Sequence, residues 1–402
     1  MNLTHDWRSH VRHDTIGLNG QFFLNSAGSS LPPKIVTETM VSYLKEEAKI
    51  GGYGLEKLRA PNFETFYIES AKLLNAKPHN MAFAYSSTDA YSKVLSAIPF
   101  KHNDCIITTT NDYISNQLSF LSIQKRFGVN ILRAKNLPNG DMDLSDFEHL
   151  VQMHHPILIA VTQVPTNSGL VQPVEAVGKI AKKYNILYLL DACQAVGQMV
   201  VDVEKIGCDF LTATGRKFLR GPRSSGLLFV SDKVLATELA PLCMDRRNAE
   251  WIGANEYKIF STAKRFESQE VSNAVLGLAQ AIKYANDVGM ENIFHYNQAL
   301  IIKLRENLSA LKHVQLLDKG SFLSNILTFR IDNKSFEKVV NKLDKNKVVY
   351  STAFKNSAFI DFTEKGVDWA IRFSPHYFNT LEEMDEVTNI VSDIKTTLSI
   401  QT

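Results

Sequence analysis

Between about residue 80 and residue 230 short apolar runs alternate with amphipathic stretches, and that alternation leaves few folds open. The runs are Met81 to Tyr85, Cys105 to Thr108, Asn130 to Ala134, Ile157 to Val164, Ile186 to Asp191, Phe210 to Thr214 and Gly226 to Val230. Helical stretches between them include Ser115 to Phe127 and Val174 to Tyr184. The runs are too continuously apolar for a sheet wetted on one side. They predict an α/β fold with a mostly parallel sheet covered on both faces. Ligands of such sheets collect at the carboxyl ends of the strands. Asp191 and the turn after Thr214 both fall there.

At 402 residues the chain exceeds the size at which one core stops growing, so about two domains are expected. From Pro32 to about Ile50, Val36, Met40, Tyr43 and Leu44 share a helical face, with Pro32-Pro33 suited to the start and Gly51-Gly52 to the stop. After about Glu270 a long helical region runs through Ala281, Tyr284, Ile293 and Leu304. A strand at Ile326 to Ile331, a helix at Ser335 to Asn346 and strands at Val348 to Tyr350 and Trp369 to Ser374 follow, and a helix from Leu381 to Leu398 ends the pattern. The expected division is an N-terminal segment 1–30, a large domain 31–270, and a linking helix with a smaller α+β domain over 271–402.

Hydrophobic residues at 45% and charged ones at 21% describe ordinary globular material, and a net charge of +2 with no Lys/Arg block excludes an electrostatic footprint for nucleic acid. No stretch approaches a membrane span, and the start, Met1-Asn2-Leu3-Thr4-His5-Asp6-Trp7-Arg8, lacks the apolar core of a secretion signal. Cys105, Cys193, Cys208 and Cys243 match neither a zinc pattern nor a dense disulfide framework. A cytoplasmic protein without a metal site is expected.

Lys217 lies 26 positions after Asp191, in Thr212-Ala213-Thr214-Gly215-Arg216-Lys217-Phe218-Leu219-Arg220-Gly221-Pro222-Arg223. Strand-end carboxylates are common in α/β proteins and Lys-Arg pairs are usually solvated, so either residue alone carries little. Together, with Gly215, Gly221, Pro222 and Gly226 shaping two turns, they read as a pyridoxal-phosphate (PLP) site. The amine would form a Schiff base and the carboxylate would keep the pyridine nitrogen protonated, which makes the cofactor an electron sink.

These residues resemble the class V aminotransferase-like, fold-type I PLP enzymes, in which a Ser/Thr, a small residue, a basic residue and Lys precede a Gly-Pro turn. The resemblance covers nearly the whole chain and departs at Ser224-Ser225-Gly226, where relatives often begin with a glycine able to adopt positive φ. It implies that Lys217 is the Schiff-base lysine and proton shuttle, Asp191 the pyridinium partner, and Gln194 a neighbour of the phenolic oxygen. Thr214 and Arg216 would bind the phosphate, Arg216 replacing the His often found beside the lysine. Ser87 and Thr88, in Tyr85-Ser86-Ser87-Thr88-Asp89-Ala90, would add helix N-terminal N–H groups and hydroxyls to that cradle; the same residues make an ordinary helix cap. Tyr113 would stack on the cofactor ring. Thr166 or Asn167, with the register open by one, would lie near O3′ or the substrate. Arg372 would grip the alpha-carboxylate, and Asn25 would line the substrate mouth. The resemblance also implies a homodimer in which Arg265 to Glu270 approaches the neighbour's cofactor.

Within the superfamily, the cysteine desulfurases need a thiol before the C-terminal strand, and Tyr350 to Phe359 contains no cysteine. The segments Leu24 to Gly28, Gly51-Gly52-Tyr53, Arg265-Phe266-Glu267 and Ser374 to Thr380 most resemble ergothioneine-type carbon-sulfur lyases and their isopenicillin-epimerase-like neighbours. The expected reaction on an amino-acid substrate is beta-elimination from a substituted cysteine. Transamination or epimerisation through the same carbanion stays open, as does a binding subunit that has lost catalysis, although intact Asp191, Gln194 and Lys217 argue against the last.

Overall fold

The structure, a computed structural model, describes residues 7–268, 273–332 and 335–394. All seven apolar runs pair into one sheet, in the spatial order Met81–Ala84, Gly226–Val230, Phe210–Thr214, Leu187–Asp191, Leu158–Thr162, Cys105–Thr109, Asn130–Ala134. The last five run parallel, whereas Gly226–Val230 is antiparallel to both of its neighbours. Connection length accounts for this. Only residues 215–225 join Phe210–Thr214 to Gly226–Val230. That is too short for the crossover that a parallel pair needs.

Successive residues on the strands feed opposite faces. Phe83, Ile107, Ile159, Leu190 and Leu211 enter one apolar cluster, while Ala82, Ile106, Leu158, Leu189 and Phe210 enter the other. The helices Ser87–Ala97, Ile114–Phe127, Leu144–His154 and Val174–Lys183 lie between the strands in sequence. The sheet is therefore buried on both sides, as its composition predicts.

Helix Asn273–Val288 buries Ala274, Leu278, Ala279 and Ile282 in the core of the large sheet, packed on helices Lys34–Ile50 and Ala60–Leu74. Gly289, at φ 90°, breaks the long helical pattern, and Met290–Ser309 packs on the final helix instead. The small domain is thus built from about residue 290 onward. Its antiparallel sheet runs in the order Val314–Leu316, Leu327–Ile331, Trp369–Phe373, Ser351–Phe354. The N-terminal segment is not separate, because Phe22–Phe23 pairs in parallel with Val348–Val349 and Asn25 bridges Ser374. Gly51, at φ 81°, ends helix Lys34–Ile50 as expected, and a separate helix, Gly52–Leu58, begins at once. The closing helix is Leu381–Ser392, opened by a Thr380/Glu383 capping box; the expected end at Leu398 lies outside the described residues. Among the described residues no helix is long and apolar enough to cross a membrane.

The turn that follows Phe210–Thr214 holds two non-glycine residues in the left-handed region, Arg220 at φ 60° and Ser224 at φ 58°. Arg220 is fully buried, and its conformation is over-determined. Its guanidinium donates to the Leu31 carbonyl at 2.9 Å and the Thr15 hydroxyl at 2.5 Å, and it lies 4.9 Å from the ring centres of both Tyr377 and Phe378. Ser224 is exposed and carries the strain that a glycine would avoid. Ser224→Gly should therefore stabilise the fold by up to about 1 kcal/mol, visible as a higher urea midpoint with unchanged slope. A lower midpoint would mean that the serine stabilises this turn.

Candidate active site

Asp191 ends strand Leu187–Asp191, and two donors fix its carboxylate. The Cys193 N–H donates to one oxygen at 2.9 Å and the Asn116 amide to the other, also at 2.9 Å. Asn116, on helix Ile114–Phe127, also reaches the Thr162 hydroxyl at 3.3 Å and Asp112 at 3.0 Å. Asp112 further accepts from the Gln117 amide at 2.9 Å, the Tyr113 N–H at 2.6 Å and the Thr162 hydroxyl. Burial pushes the Asp112 carboxyl up, and the Asp191 charge adds to that against the pull of these donors. Sequence reasoning singled out neither Asn116 nor Asp112. Their four-residue spacing at a helix start was the available signal, and it is equally a common capping pattern.

Lys217 follows the end of the adjacent strand and is buried, with its Nζ 5.7 Å from the centre of the Tyr113 ring. Among the described residues the amine has no hydrogen-bond partner. Burial lowers its pKa from the ordinary lysine value; Arg216 and Arg372 push the same way, and Cys193 and Asp191 oppose them. The turn is pinned from behind, where the His376 Nε2 donates to the Phe218 carbonyl at 2.8 Å and the Arg220 N–H to the Lys217 carbonyl at 2.8 Å. Burial drives His376 well below its usual value, so it serves as a neutral donor.

Ser87 opens helix Ser87–Ala97, capped by Ser86, whose hydroxyl accepts from the Asp89 N–H at 3.0 Å. The Ser87 hydroxyl donates to Thr212 at 2.9 Å, Thr88 is exposed, and the Thr214 hydroxyl donates to the Ser225 carbonyl at 3.4 Å. Gly226 is required by close approach: a Cβ there would lie 2.7 Å from the Ala213 oxygen and 3.0 Å from the Ser86 carbonyl carbon. The helix N-terminus is thereby pressed against the strand ends, where its free N–H groups suit an anion.

On the opposite side the Arg372 Nη1 donates to the Thr166 carbonyl at 2.9 Å, while its buried Nε is unpartnered among the described residues. Burial lowers the Arg372 pKa to about 10, with Arg216 adding to the effect. Gln194 donates to the Ala27 carbonyl at 3.1 Å, and its Oε1, like the Asn25 Oδ1, is buried without a partner. Arg216 donates to the Gly28 carbonyl. The Asn167 amide donates to the Ser357 carbonyl and hydroxyl, each at 3.2 Å, which commits it to the small domain. Asn167 lines a cavity of about 350 Å³, with Asp112, Ile114, Leu118, Arg133 and Phe359 among the other walls; Lys217 is not part of its lining. In the stretch expected to approach a neighbouring subunit, Arg265 donates to the Val234 and Thr237 carbonyls and Glu267 accepts from the Phe83 N–H and the Tyr67 hydroxyl; Gln269 and Glu270 lie outside the described residues.

The unpartnered Gln194, Asn25 and Arg372 atoms, the unbonded Lys217 amine and the anchored Asp191 together fit a planar group with a basic ring nitrogen, polar substituents and an aldehyde. Asn116→Ala should lower stability by about 1–3 kcal/mol, because one oxygen of a buried carboxylate loses its donor. Asn116→Asp should cost more, since it adds a third carboxylate beside Asp112 and Asp191. Urea unfolding of the two variants checks the order, and equal stability would contradict the bridging role.

A model of the class-V aminotransferase family matches residues 22–387. A probable cysteine desulfurase of Methanothermobacter thermautotrophicus is 27% identical over 393 residues, 96% of this chain and 97% of its own. Among solved structures, the apo cysteine desulfurase of Thermococcus onnurineus NA1 superposes with a TM-score of 0.87 at 24% identity, covering 96% of this chain and 97% of that one. The cystine C-S lyase C-DES, solved with its reaction product cysteine persulfide, gives 0.83 at 19% identity over 94% and 99%. With nearly its whole length matched, the chain belongs to the class-V aminotransferase family and is a PLP-dependent enzyme.

Proposed function

We propose that this enzyme cleaves the carbon-sulfur bond of a substituted cysteine by beta-elimination. The observation that carries the reading is a buried lysine amine with depressed basicity, Lys217, standing between an anchored carboxylate, Asp191, and a buried arginine, Arg372. Lys217 would hold the cofactor covalently and Asp191 would pair with its ring nitrogen. Tyr113 would cover the ring face, Thr214 with Ser87 and Thr88 would hold the phosphate, and Gln194 and Thr166 would stand near the phenolic oxygen. When bound, the cofactor supplies a sink for the electron pair left at the substrate's alpha carbon.

Arg372 would grip the alpha-carboxylate and Asn25 would border the entrance, which fixes the alpha C–H relative to Lys217. The Lys217 amine, biased toward its neutral form by burial, would accept the alpha proton. The beta C–S bond then breaks with its electron pair leaving on sulfur. Addition of water to the remaining three-carbon fragment yields pyruvate and ammonia.

Names among the relatives support carbon-sulfur chemistry, but a persulfide relay lacks its nucleophile in the segment from Tyr350 to Phe359. Cys105 and Cys208 are buried, and Cys243 is exposed. Cys193 adjoins Asp191, yet burial and that carboxylate push its thiol up to about 12, far from a working thiolate. A homodimer with a shared site remains part of the proposal, and light scattering of the active enzyme checks it.

The purified protein should be yellow, and Lys217→Ala should abolish the covalent link, read by borohydride trapping and mass analysis. Product analysis with S-substituted cysteines should give pyruvate, ammonia and a thiol. A keto acid with its side chain intact would mean transamination, and the racemised amino acid would mean epimerisation. Because the neutral amine is the reactive form, the rate of cofactor capture by the apoenzyme should rise with pH and level off below the ordinary lysine value of 10.5. A midpoint at or above that value would remove burial as the activating factor.

A further inference from the structure

We infer that Asp112 is a positioning residue for the cofactor's ring nitrogen: held as an anion one amide away from Asp191, it strengthens the pairing of Asp191 with a protonated pyridine. The inference rests on the role proposed above for Asp191 and extends it to a second carboxylate that acts through the first.

Five donors converge on the Asp112 carboxylate. One oxygen accepts from the Tyr113 N–H at 2.6 Å, the Asn116 amide at 3.0 Å and the Thr162 hydroxyl, and the other from the Gln117 amide at 2.9 Å and the Thr108 hydroxyl at 3.2 Å. An ordinary helix cap accepts from backbone N–H groups of the first turn. Four of the five donors to Asp112 are side chains, so capping helix Ile114–Phe127 does not account for this arrangement.

Arg133 sets the direction of the network from its outer end. A guanidinium can only donate, and Arg133 gives two bonds to the Gln117 Oε1, from Nε at 3.0 Å and from Nη2 at 2.6 Å. With that oxygen engaged, Gln117 presents its amide hydrogens to Asp112. The Thr162 hydroxyl accepts from Asn116 at 3.3 Å, which leaves its own proton for Asp112. A proton on either Asp112 oxygen would displace at least one of these donors. They therefore keep the group ionised against the burial and the Asp191 charge that push its pKa up.

Asn116 carries the effect inward, because the same Nδ2 donates to Asp112 at 3.0 Å and to Asp191 at 2.9 Å. Among the described residues the hydrogen bonds to both carboxylates come from neutral groups. Two like charges joined by one amide repel, and a cation arriving at Asp191 relieves both. In the reading above that cation is the protonated ring nitrogen. Asp112 makes it better held than Asp191 alone would.

Competition binding to the apoenzyme tests this with PLP and its carbocyclic analogue, which carries C–H in place of the ring nitrogen and keeps the aldehyde, hydroxyl and phosphate. The ratio of the two affinities isolates the nitrogen from every other contact. The wild-type protein should prefer PLP by at least about tenfold, the equivalent of one pKa unit at the nitrogen. Asp112→Asn should lower that ratio by about threefold or more. Its new amide nitrogen meets that of Gln117, so a second variant keeps the network complementary: in Asp112→Asn combined with Gln117→Glu, the new amide donates to the new carboxylate, which pairs with Arg133. The charge then lies one link farther from Asp191, and the ratio should fall here as well. A ratio that does not fall in a folded variant, including an equal loss of both affinities, overturns the inference and leaves Asp112 a structural carboxylate. A wild-type protein that binds both compounds alike overturns the role of Asp191 at the ring nitrogen, and this inference with it.

Discussion

Burying a lysine amine at the edge of a sheet is the constraint around which the rest of the site is arranged. A buried ammonium without a partner is costly, so Lys217 shifts toward its neutral form instead. That shift requires a turn rigid enough to keep the side chain from escaping to water. The rigidity comes from behind the turn. Arg220, in a backbone conformation unfavourable for its residue type, is held by Leu31, Thr15 and two aromatic rings, and His376 holds the Phe218 carbonyl. Strain at Arg220 is thus offset by contacts far from the chemistry.

The opposite wall depends on how the chain termini are stitched together. Phe22–Phe23 joins the small domain through Val348–Val349, and the following residues carry Asn25, Ala27 and Gly28 past Ser374 to meet Gln194 and Arg216. The substrate side is therefore assembled from the large sheet, the small sheet and the N-terminal segment at once. A change in the packing of the small domain would move Arg372 and Gly28 together, and with them the contact made by Arg216.

The acidic side has a layered build. Asp191 faces the lysine's neighbourhood, Asn116 bridges it to Asp112, and Asp112 is surrounded by donors from Thr162, Gln117 and the Tyr113 backbone. Two buried carboxylates so near each other repel, and the amide between them supplies donors to both. This lets Asp191 keep a fixed orientation without a cation of the protein directly paired to it.

The order of apolar runs and the pair Asp191 and Lys217 were legible in the sequence because both follow from local pattern. A period of two buried on both faces, and small residues around a strand-end lysine, need no knowledge of distant contacts. The antiparallel place of Gly226–Val230 was also implicit in the short turn before it, although the runs alone read only as a mostly parallel sheet. What only the tertiary structure decided are the directions of long side chains and the partners of distant segments. Arg216 turns to Gly28, 188 positions away, and Asn167 to Ser357, 190 positions away. Asn116 becomes a bridge only when Asp191, 75 positions on, arrives beside it. Helix Asn273–Val288 joins the large core because helices Lys34–Ile50 and Ala60–Leu74 offer it an apolar face. Sequence pattern sets which face of an element is apolar, whereas hydrogen-bond choice among flexible polar side chains is settled by what the folded chain places within about 3 Å of them.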